Sequence, residues 1–366
     1  MTFAGWSTRW GLLVLILAAE FAVLEAGLRW HGGSEASPGF QSLFMQDARV
    51  GHRLRPDAAT RYSTVEFSTD LAINAQGVRD DAPIGPKAPG EKRIVVLGDS
   101  LVMSVQVGLQ DTFGKHLERI LQADDPPVHW RVINAGVQGY GPVDELLFYR
   151  HVVQSFEPDL IIIVVFVGND AVEAHDKATW LDAGAPVAND VAEVASTHFR
   201  RIVRASMVLQ NVRLRWDLLK ARFQGPGTER PLTSYLADPP EDVIDGFEVS
   251  RRAYGRIADE AAARQARTAL VLMPARFQTD DADYGRLRDI VASAGGSLIR
   301  DAATDRFRTA LAPLRLPILD LLPVLRAEPN RVELFFQRNV HLTPRGHRVV
   351  GQALADFVLA LPRDPR

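Results

Sequence analysis

The chain has 366 residues, 42 Lys and Arg against 45 Asp and Glu, a formal net charge of −3 and a hydrophobic fraction of 46%. That balance argues against a nucleic-acid binder, which shows a basic stripe, and the length fits one large domain or two smaller ones with ample material for a packed core. The absence of cysteine excludes disulfides, thiolate metal sites, a cysteine nucleophile and a lipoprotein-type cysteine anchor.

Residues 10–28 are dominated by the apolar runs Gly11–Ala19 and Phe21–Leu24, interrupted by Glu20 and Glu25. Nineteen residues of helix span about 28 Å, close to the thickness of a hydrocarbon core. With Arg9 in front, residues 1–30 read as a signal anchor, a transmembrane helix with a cytoplasmic N-terminus and the body of the chain beyond the inner membrane. A glutamate at mid-membrane depth is costly. Two alternatives therefore stand: a cleaved signal peptide with Leu12–Ala19 as its apolar core, and a buried amphipathic helix. Residues 31–92 read as a polar linker and a small β-rich lead-in packed on the main domain. They show alternation near Tyr62–Phe67, a turn at Gln76-Gly77 and a proline-rich connector from Pro83 to Gly90.

From residue 93 to the end, strand-like and helix-like segments alternate, as a parallel sheet requires. Ile94–Leu97 predicts a buried strand that stops at Gly98-Asp99-Ser100, leaving a serine hydroxyl at the carboxyl end of the strand, where open α/β sheets bind ligands. A helix is expected over Thr112–Gln122, with Phe113, Leu117, Ile120 and Leu121 on one face. The strand Trp130–Ile133 leads into Asn134-Ala135-Gly136-Val137, and a helix over Val143–Phe156 stops before Pro158. The strand Leu160–Val167 precedes Gly168-Asn169-Asp170. Residues 171–245 lack strand signal and read as a helical insertion. Its basic stretch His198–Phe223 reads as a solvated helix face, or else as a cap over the site or a surface facing anionic lipid or polymer. Further on, a helix is expected over Asp245–Arg267, a strand over Thr268–Pro274, helices over Tyr284–Ala294 and Ala302–Ala312, a strand over Leu316–Leu319 and a closing helix over His347–Leu361. Before that last helix comes Asn339-Val340-His341.

Ser, Gly, Asn and His thus occur in order, the first three at strand ends. The pattern resembles the SGNH (GDSL-type) hydrolases over about residues 93–361, and the lead-in resembles that of membrane-anchored bacterial members. The resemblance implies an α/β fold, a flavodoxin-like three-layer sandwich around a central parallel sheet. It implies Ser100 as nucleophile, His341 as general base, and an oxyanion hole made of the backbone N–H groups of Ser100 and Gly136 and the side-chain amide of Asn169. The chemistry suits these residue types. A serine hydroxyl needs an adjacent base to become nucleophilic, a histidine titrates near neutrality, and fixed N–H donors stabilise the oxyanion of acyl transfer.

The departure is at the triad acid, where the family places an aspartate two or three residues before the histidine and this chain has Asn339 and Arg338. Three readings follow. The site works as a Ser-His dyad oriented by Asn339 or a backbone carbonyl, another carboxylate such as Glu333 or Asp320 substitutes, or the site is inactive. An Asp→Asn change in this role costs about 10⁴ in turnover in a serine protease. His347 reads as part of a helix start, Asp320 as a turn residue and Asp99 as a turn former. No phosphate-cradling glycine loop and no histidine pair at metal spacing is present, so neither a metal nor a nucleotide cofactor is expected. The whole reads as a membrane-anchored, extracytoplasmic serine esterase. Its substrate is an ester-bearing small molecule, a lipid or an O-acylated glycan, with O-acyl groups of envelope or exported polysaccharide favoured. An O-acyltransferase using the same site, and a non-catalytic carbohydrate-binding or assembly protein on a degenerate hydrolase fold, are the alternatives.

Overall fold

The computed structural model describes residues 18–27, 38–187 and 230–362. After a helical turn at Pro38–Gln41 come two antiparallel hairpins, β1 (Phe44–Asp47) with β2 (Gly51–Leu54) and β3 (Ala59–Ser63) with β4 (Ser68–Ala72). In the second, Tyr62 and Leu71 point inward and are buried, while Arg61 and Asp70 pair across the outer face at 2.6 Å. The alternation expected through Tyr62–Phe67 stops at Ser63. Thr64 Oγ1 accepts the N–H groups of Glu66 and Phe67, each at 3.2 Å, and this local bonding turns the chain. The turn at Gln76-Gly77 is formed, with Gly77 at φ +78°.

The main sheet has five parallel strands, β5 (Glu91–Gly98), β6 (His129–Gly136), β7 (Leu160–Phe166), β8 (Arg267–Met273) and β9 (Ile318–Asp320), in the order β6-β5-β7-β8-β9. This is the flavodoxin-like doubly wound order. Both faces are covered, which is why β5 and β7 read as unbroken apolar runs. Ile94 and Val96 face a core shared with Leu117, Val350 and Leu354, whereas Val95 and Leu97 face one shared with Leu146 and Ile257. The helices connecting and covering these strands are α1 (Ser100–Met103), α2 (Phe113–Asp124), α3 (Pro142–His151), α4 (Asp170–Asp176), α5 (Ala178–Ala183), α6 (Glu241–Ala262), α7 (Asp281–Ser293), α8 (Ala302–Leu311), α9 (Leu321–Ala327) and α10 (Pro344–Ala360). Helices α2, α9 and α10 lie on the first face. Helices α3 and α6 lie on the second, together with lead-in residues Phe40, Leu54, Tyr62 and Val78.

Several boundaries differ from the sequence reading, each for a local reason. Helix α6 starts earlier, after Pro240, with Glu241 and Asp242 in the first turn, where acidic groups complement the helix dipole. It stops short of Arg267 because the chain reverses through Gln265 at φ +63° and Arg267 already pairs in β8. Gly246 within it has no room for a side chain. A Cβ there would lie 1.8 Å from the Ala171 carbonyl oxygen, so α6 presses directly on α4. Helix α10 starts at Pro344, with Thr343 Oγ1 accepting the Gly346 N–H at 3.2 Å and proline in the first turn. Helix α9 was not expected, and its cap is Asp320, which accepts the Leu322 N–H at 2.9 Å. Of segment 10–28, residues 18–27 are helical and the rest lies outside the described residues, as does His198–Phe223. Among the described residues no helix is long and apolar enough to cross a membrane.

The carboxyl ends of β5 and β6 close on α1. A Cβ on Gly98 would sit 2.5 Å from Val102 Cγ2, and one on Gly136 would sit 2.2 Å from the Met103 nitrogen. Gly136→Ala therefore collides with backbone that cannot give way, and it should lower the Tm in thermal denaturation by the equivalent of about 1–3 kcal/mol or more. Gly285→Ala, in helix α7 with open space around it, should raise the Tm through helix propensity, worth up to about 1 kcal/mol.

Candidate active site

Ser100 opens α1 at the end of β5. Asp99 is the N-cap, its carboxylate accepting the Leu101 N–H at 2.8 Å, and the helix ends after one turn with Ser104 in the left-handed region at φ 55°. Ser100 lies in the first turn, where backbone N–H groups have no intrahelical acceptor. The carboxyl end of α1 is closed by Arg79, a buried guanidinium that donates to the carbonyls of Met103 at 2.8 Å, Ser104 at 2.5 Å and Val107 at 2.6 Å. Burial lowers Arg79 to about 10, and it stays charged at neutral pH.

His341 arrives on the loop between α9 and α10. An antiparallel bridge between Phe335 and Leu342 closes the loop, and the Phe336 N–H donates to the His341 carbonyl at 2.9 Å. The imidazole Nε2 lies 2.8 Å from Ser100 Oγ, and Nδ1 lies 2.7 Å from Asn339 Oδ1. An amide oxygen only accepts, so Nδ1 carries the proton and Nε2 presents its lone pair to the serine hydroxyl. Burial pushes His341 down to about 4, so the ring is neutral at pH 7. The structure thus brings Ser100, His341 and Asn339 into one hydrogen-bonded line. The two carboxylates considered as substitutes lie elsewhere. Asp320 caps α9 and pairs with Arg308, and Glu333 is paired with Arg345 at 2.7 Å. His347 is buried and stacked on Phe113, its Nδ1 accepting the Phe113 N–H at 3.2 Å, a structural role.

The oxyanion residues divide. Gly136 is corrected: its N–H donates to Asn134 Oδ1 at 3.0 Å, while the Asn134 amide donates to the Val102 carbonyl at 2.7 Å. Gly136 and Asn134 therefore fasten β6 to α1, and the glycine serves close backbone approach to that helix. Three residues on, Gly139 has φ +77° and open space at its Cβ position, and its N–H is engaged by no described residue. Its neighbours are held from the lead-in: His52 Nε2–H donates to the Gln138 carbonyl at 3.0 Å and Tyr140 O–H to the His52 carbonyl at 2.6 Å. Asn169 caps α4 and donates one of its two amide hydrogens to Glu173 Oε1 at 2.9 Å, leaving the second free.

Behind the site lies a group of buried carboxyls that the sequence analysis missed: Asp99, Asp144, Glu145, Asp170 and Glu173. Burial raises Asp99 to about 7, and burial together with the Asp99 charge raises Glu173 to about 8. Glu145 and Asp170 are raised well above the usual carboxylate range, by burial first and by their acidic neighbours second. Partial relief comes from Tyr254 O–H and the Phe166 N–H, which donate to Asp170 at 2.8 and 2.9 Å, and from Lys177, which pairs with Asp144. Only the motif Asn169-Asp170 with Glu173 one turn later hinted at this group. Among the described residues no cluster of His, Asp and Glu is arranged to hold a metal ion.

Residues 96–349, well over half of the chain, match the family model of GDSL-like lipases and acylhydrolases. Comparison with curated proteins finds no match. Among solved structures the chain is similar to a lipase from a goat-rumen metagenome (TM-score 0.44, 14% identity, 73% of this chain and 97% of that one). It is also similar to the lipase/acylhydrolase from Enterococcus faecalis (0.41, 14%, 75% and 99%) and to an acetyl xylan esterase (0.41, 14%, 73% and 99%).

The raised Glu173 holds its proton in the folded state, so its contribution to stability is complete below the ordinary value of 4.5 and is lost as pH rises through about 8. Glu173→Gln keeps an acceptor for Asn169 and cannot ionise. Its Tm relative to the parent should rise between pH 6 and pH 9, by roughly 2–4 °C for each kcal/mol relieved. A constant difference across that range would contradict the assignment.

Proposed function

Since the chain belongs to the GDSL-like lipase/acylhydrolase family, we propose that it is a serine esterase acting through Ser100 and His341. The observation that carries this reading is the unbroken line from Asn339 Oδ1 through both ring nitrogens to Ser100 Oγ, at 2.7 and 2.8 Å. Ser100 Oγ attacks the ester carbonyl carbon as its proton passes to Nε2. The oxyanion is met by the first-turn N–H of Ser100, the second amide hydrogen of Asn169 and the N–H of Gly139, which takes the place first given to Gly136. Nε2–H then protonates the leaving alcohol, and an acyl-Ser100 intermediate remains. Water, deprotonated by Nε2, attacks the acyl carbon, and the carboxylate product leaves with the serine hydroxyl restored. Asn339 holds the Nδ1–H tautomer throughout without itself bearing charge. A site released from catalysis has no need of this alignment, which favours the enzyme over a non-catalytic binding protein.

The substrate proposed is an O-acyl or O-acetyl ester of an envelope or exported polysaccharide. The support is the apolar segment 10–28, which as a signal anchor would hold the esterase on the outer face of the inner membrane, beside such polymers.

A fluorophosphonate probe applied to the full chain should add to Ser100, as located by mass spectrometry. Ser100→Ala should abolish labelling, and His341→Ala should slow it by about 10³-fold or more. Labelling of equal speed in Ser100→Ala would overturn the mechanism. Because the base must be neutral, the labelling rate should fall on the acid side with a midpoint near 4, where burial has placed His341, and not at the ordinary histidine value of about 6.5.

A further inference from the structure

The geometry points to Glu66, at the tip of the β3–β4 hairpin, as the positioning residue that aligns the Asn339–His341 loop for catalysis; this rests on the Ser100–His341 reading above. One Glu66 oxygen accepts the N–H groups of Gln337 at 2.9 Å and Arg338 at 3.0 Å, and the other accepts those of Arg338 at 3.1 Å and Asn339 at 2.8 Å. Three successive amides, 271 to 273 residues away in sequence, converge on one carboxylate. Beside it the Phe67 ring packs on Phe336 with centroids 5.4 Å apart.

The loop needs such an anchor. Its stem is tied by the Phe335–Leu342 bridge and by the Phe336 N–H on the His341 carbonyl, and Arg276 donates to the Phe336 and Gln337 carbonyls, but the N–H groups of residues 337–339 at its tip find no backbone acceptor in the stem. A carboxylate has about four lone-pair positions, and charged acceptors form the stronger class of hydrogen bond. Burial works against the Glu66 charge, yet the three amides and the nearby Arg338 outweigh it and hold Glu66 below its ordinary value. The anchor acts on the residue that matters most. Asn339 is bound through its backbone N–H to Glu66 and through its side chain to His341 Nδ1, so the position of the carboxylate sets where Oδ1 points and hence where Nε2 meets Ser100. An aspartate at 339 would orient the ring partly through charge. A neutral asparagine orients it by geometry alone, which makes the anchoring of its backbone more consequential.

The test compares Glu66→Gln, Asn339→Ala and the double variant in the full chain. It uses fluorophosphonate labelling rates and turnover of p-nitrophenyl acetate, with Val65→Ala, an exposed neighbour on the same tip, as control. The glutamine side chain would keep the size of the glutamate but set an amide N–H against a backbone N–H. Glu66→Gln should slow labelling and kcat by about 10- to 100-fold with KM changed by no more than about twofold. In the Asn339→Ala background the same change should cost no more than about twofold, since the residue through which Glu66 acts is gone. Equal losses in both backgrounds, or none in either, would overturn the proposal while leaving the Ser100–His341 reading intact. Failure of the parent chain to label at all would remove both. Hydrogen exchange on the parent chain gives a second readout free of any folding defect: the amides of Arg338 and Asn339 should be protected although they lie on a surface loop, and unprotected amides would overturn the assignment.

Discussion

Everything at this site depends on keeping His341 Nε2 within 2.8 Å of Ser100 Oγ, two groups separated by 241 positions in the chain. A displacement of 1 Å in such a pair costs on the order of a hundredfold in rate, so both supports must be rigid. The serine side is rigid because β5 is the second strand of a fully covered sheet and because Gly98 and Gly136 let α1 sit directly on backbone. The histidine side is rigid because α10 packs on α2 closely enough that a Cβ on Gly351 would lie 2.4 Å from His116 Cβ. Leu334, Phe335 and Leu342, which frame the loop, are buried in the same core as Ile94 and Val96. The two supports thus share one apolar layer, and the strand that ends at Ser100 is also the floor under His341.

The electrostatics follow from burial. His341 is neutral at pH 7, Asn339 cannot ionise, and Asp99 and Glu173 are raised toward or above neutrality. The resting base beside Ser100 is therefore uncharged. In the reaction proposed for Ser100 an imidazolium and an oxyanion would appear together, a few ångströms apart. In a medium of low dielectric their mutual attraction is much larger than in water, and under the proposed mechanism it would supply part of what a buried aspartate behind the histidine otherwise supplies. Fixed N–H donors that need not reorganise complete the stabilisation. An asparagine in the acid position fits the proposed mechanism, in which orientation of the ring carries more of the load than a third charge.

The ends of the parallel strands were legible in the sequence because an unbroken β-branched run followed by Gly, Asn or Asp has few other structural meanings. Ser100 could be placed for that reason and a parallel sheet followed from strand–helix alternation, whereas His341, Asn339 and the doubly wound order came from the family resemblance. Gly136 could not be read correctly, since a glycine needed for approach to a ligand and one needed for approach to a neighbouring helix look alike in sequence. Only the 3.0 Å bond from its N–H to Asn134 separates the two. Gly246 posed the same difficulty, and its reason is the Ala171 carbonyl. Glu66, Arg79 and Glu173 lay beyond reach because periodicity reports which face of an element is apolar, whereas these residues act through specific polar contacts made from turns and helix starts.

Those contacts change the standing of the lead-in. Domain boundaries fall where few interactions cross, but here a buried guanidinium, Arg79, crosses from the lead-in to close the helix that carries Ser100. His52 crosses to hold Gln138 and Tyr140, the residues flanking Gly139, and Glu66 crosses to hold Asn339. The Ser100 helix, the Gly139 loop and the Asn339–His341 loop are thus gripped from residues 38–80, and Leu54, Tyr62 and Val78 share a core with Val95 and Leu97 of the central sheet. Replacing Arg79 by a side chain that cannot donate would leave its carbonyl acceptors buried without donors, each at a cost of about 1–3 kcal/mol. A parallel sheet can present a serine at its edge by its own geometry, but holding a histidine loop and an oxyanion loop against that serine needs material outside the sheet. In this chain the two hairpins and the turn after them are that material.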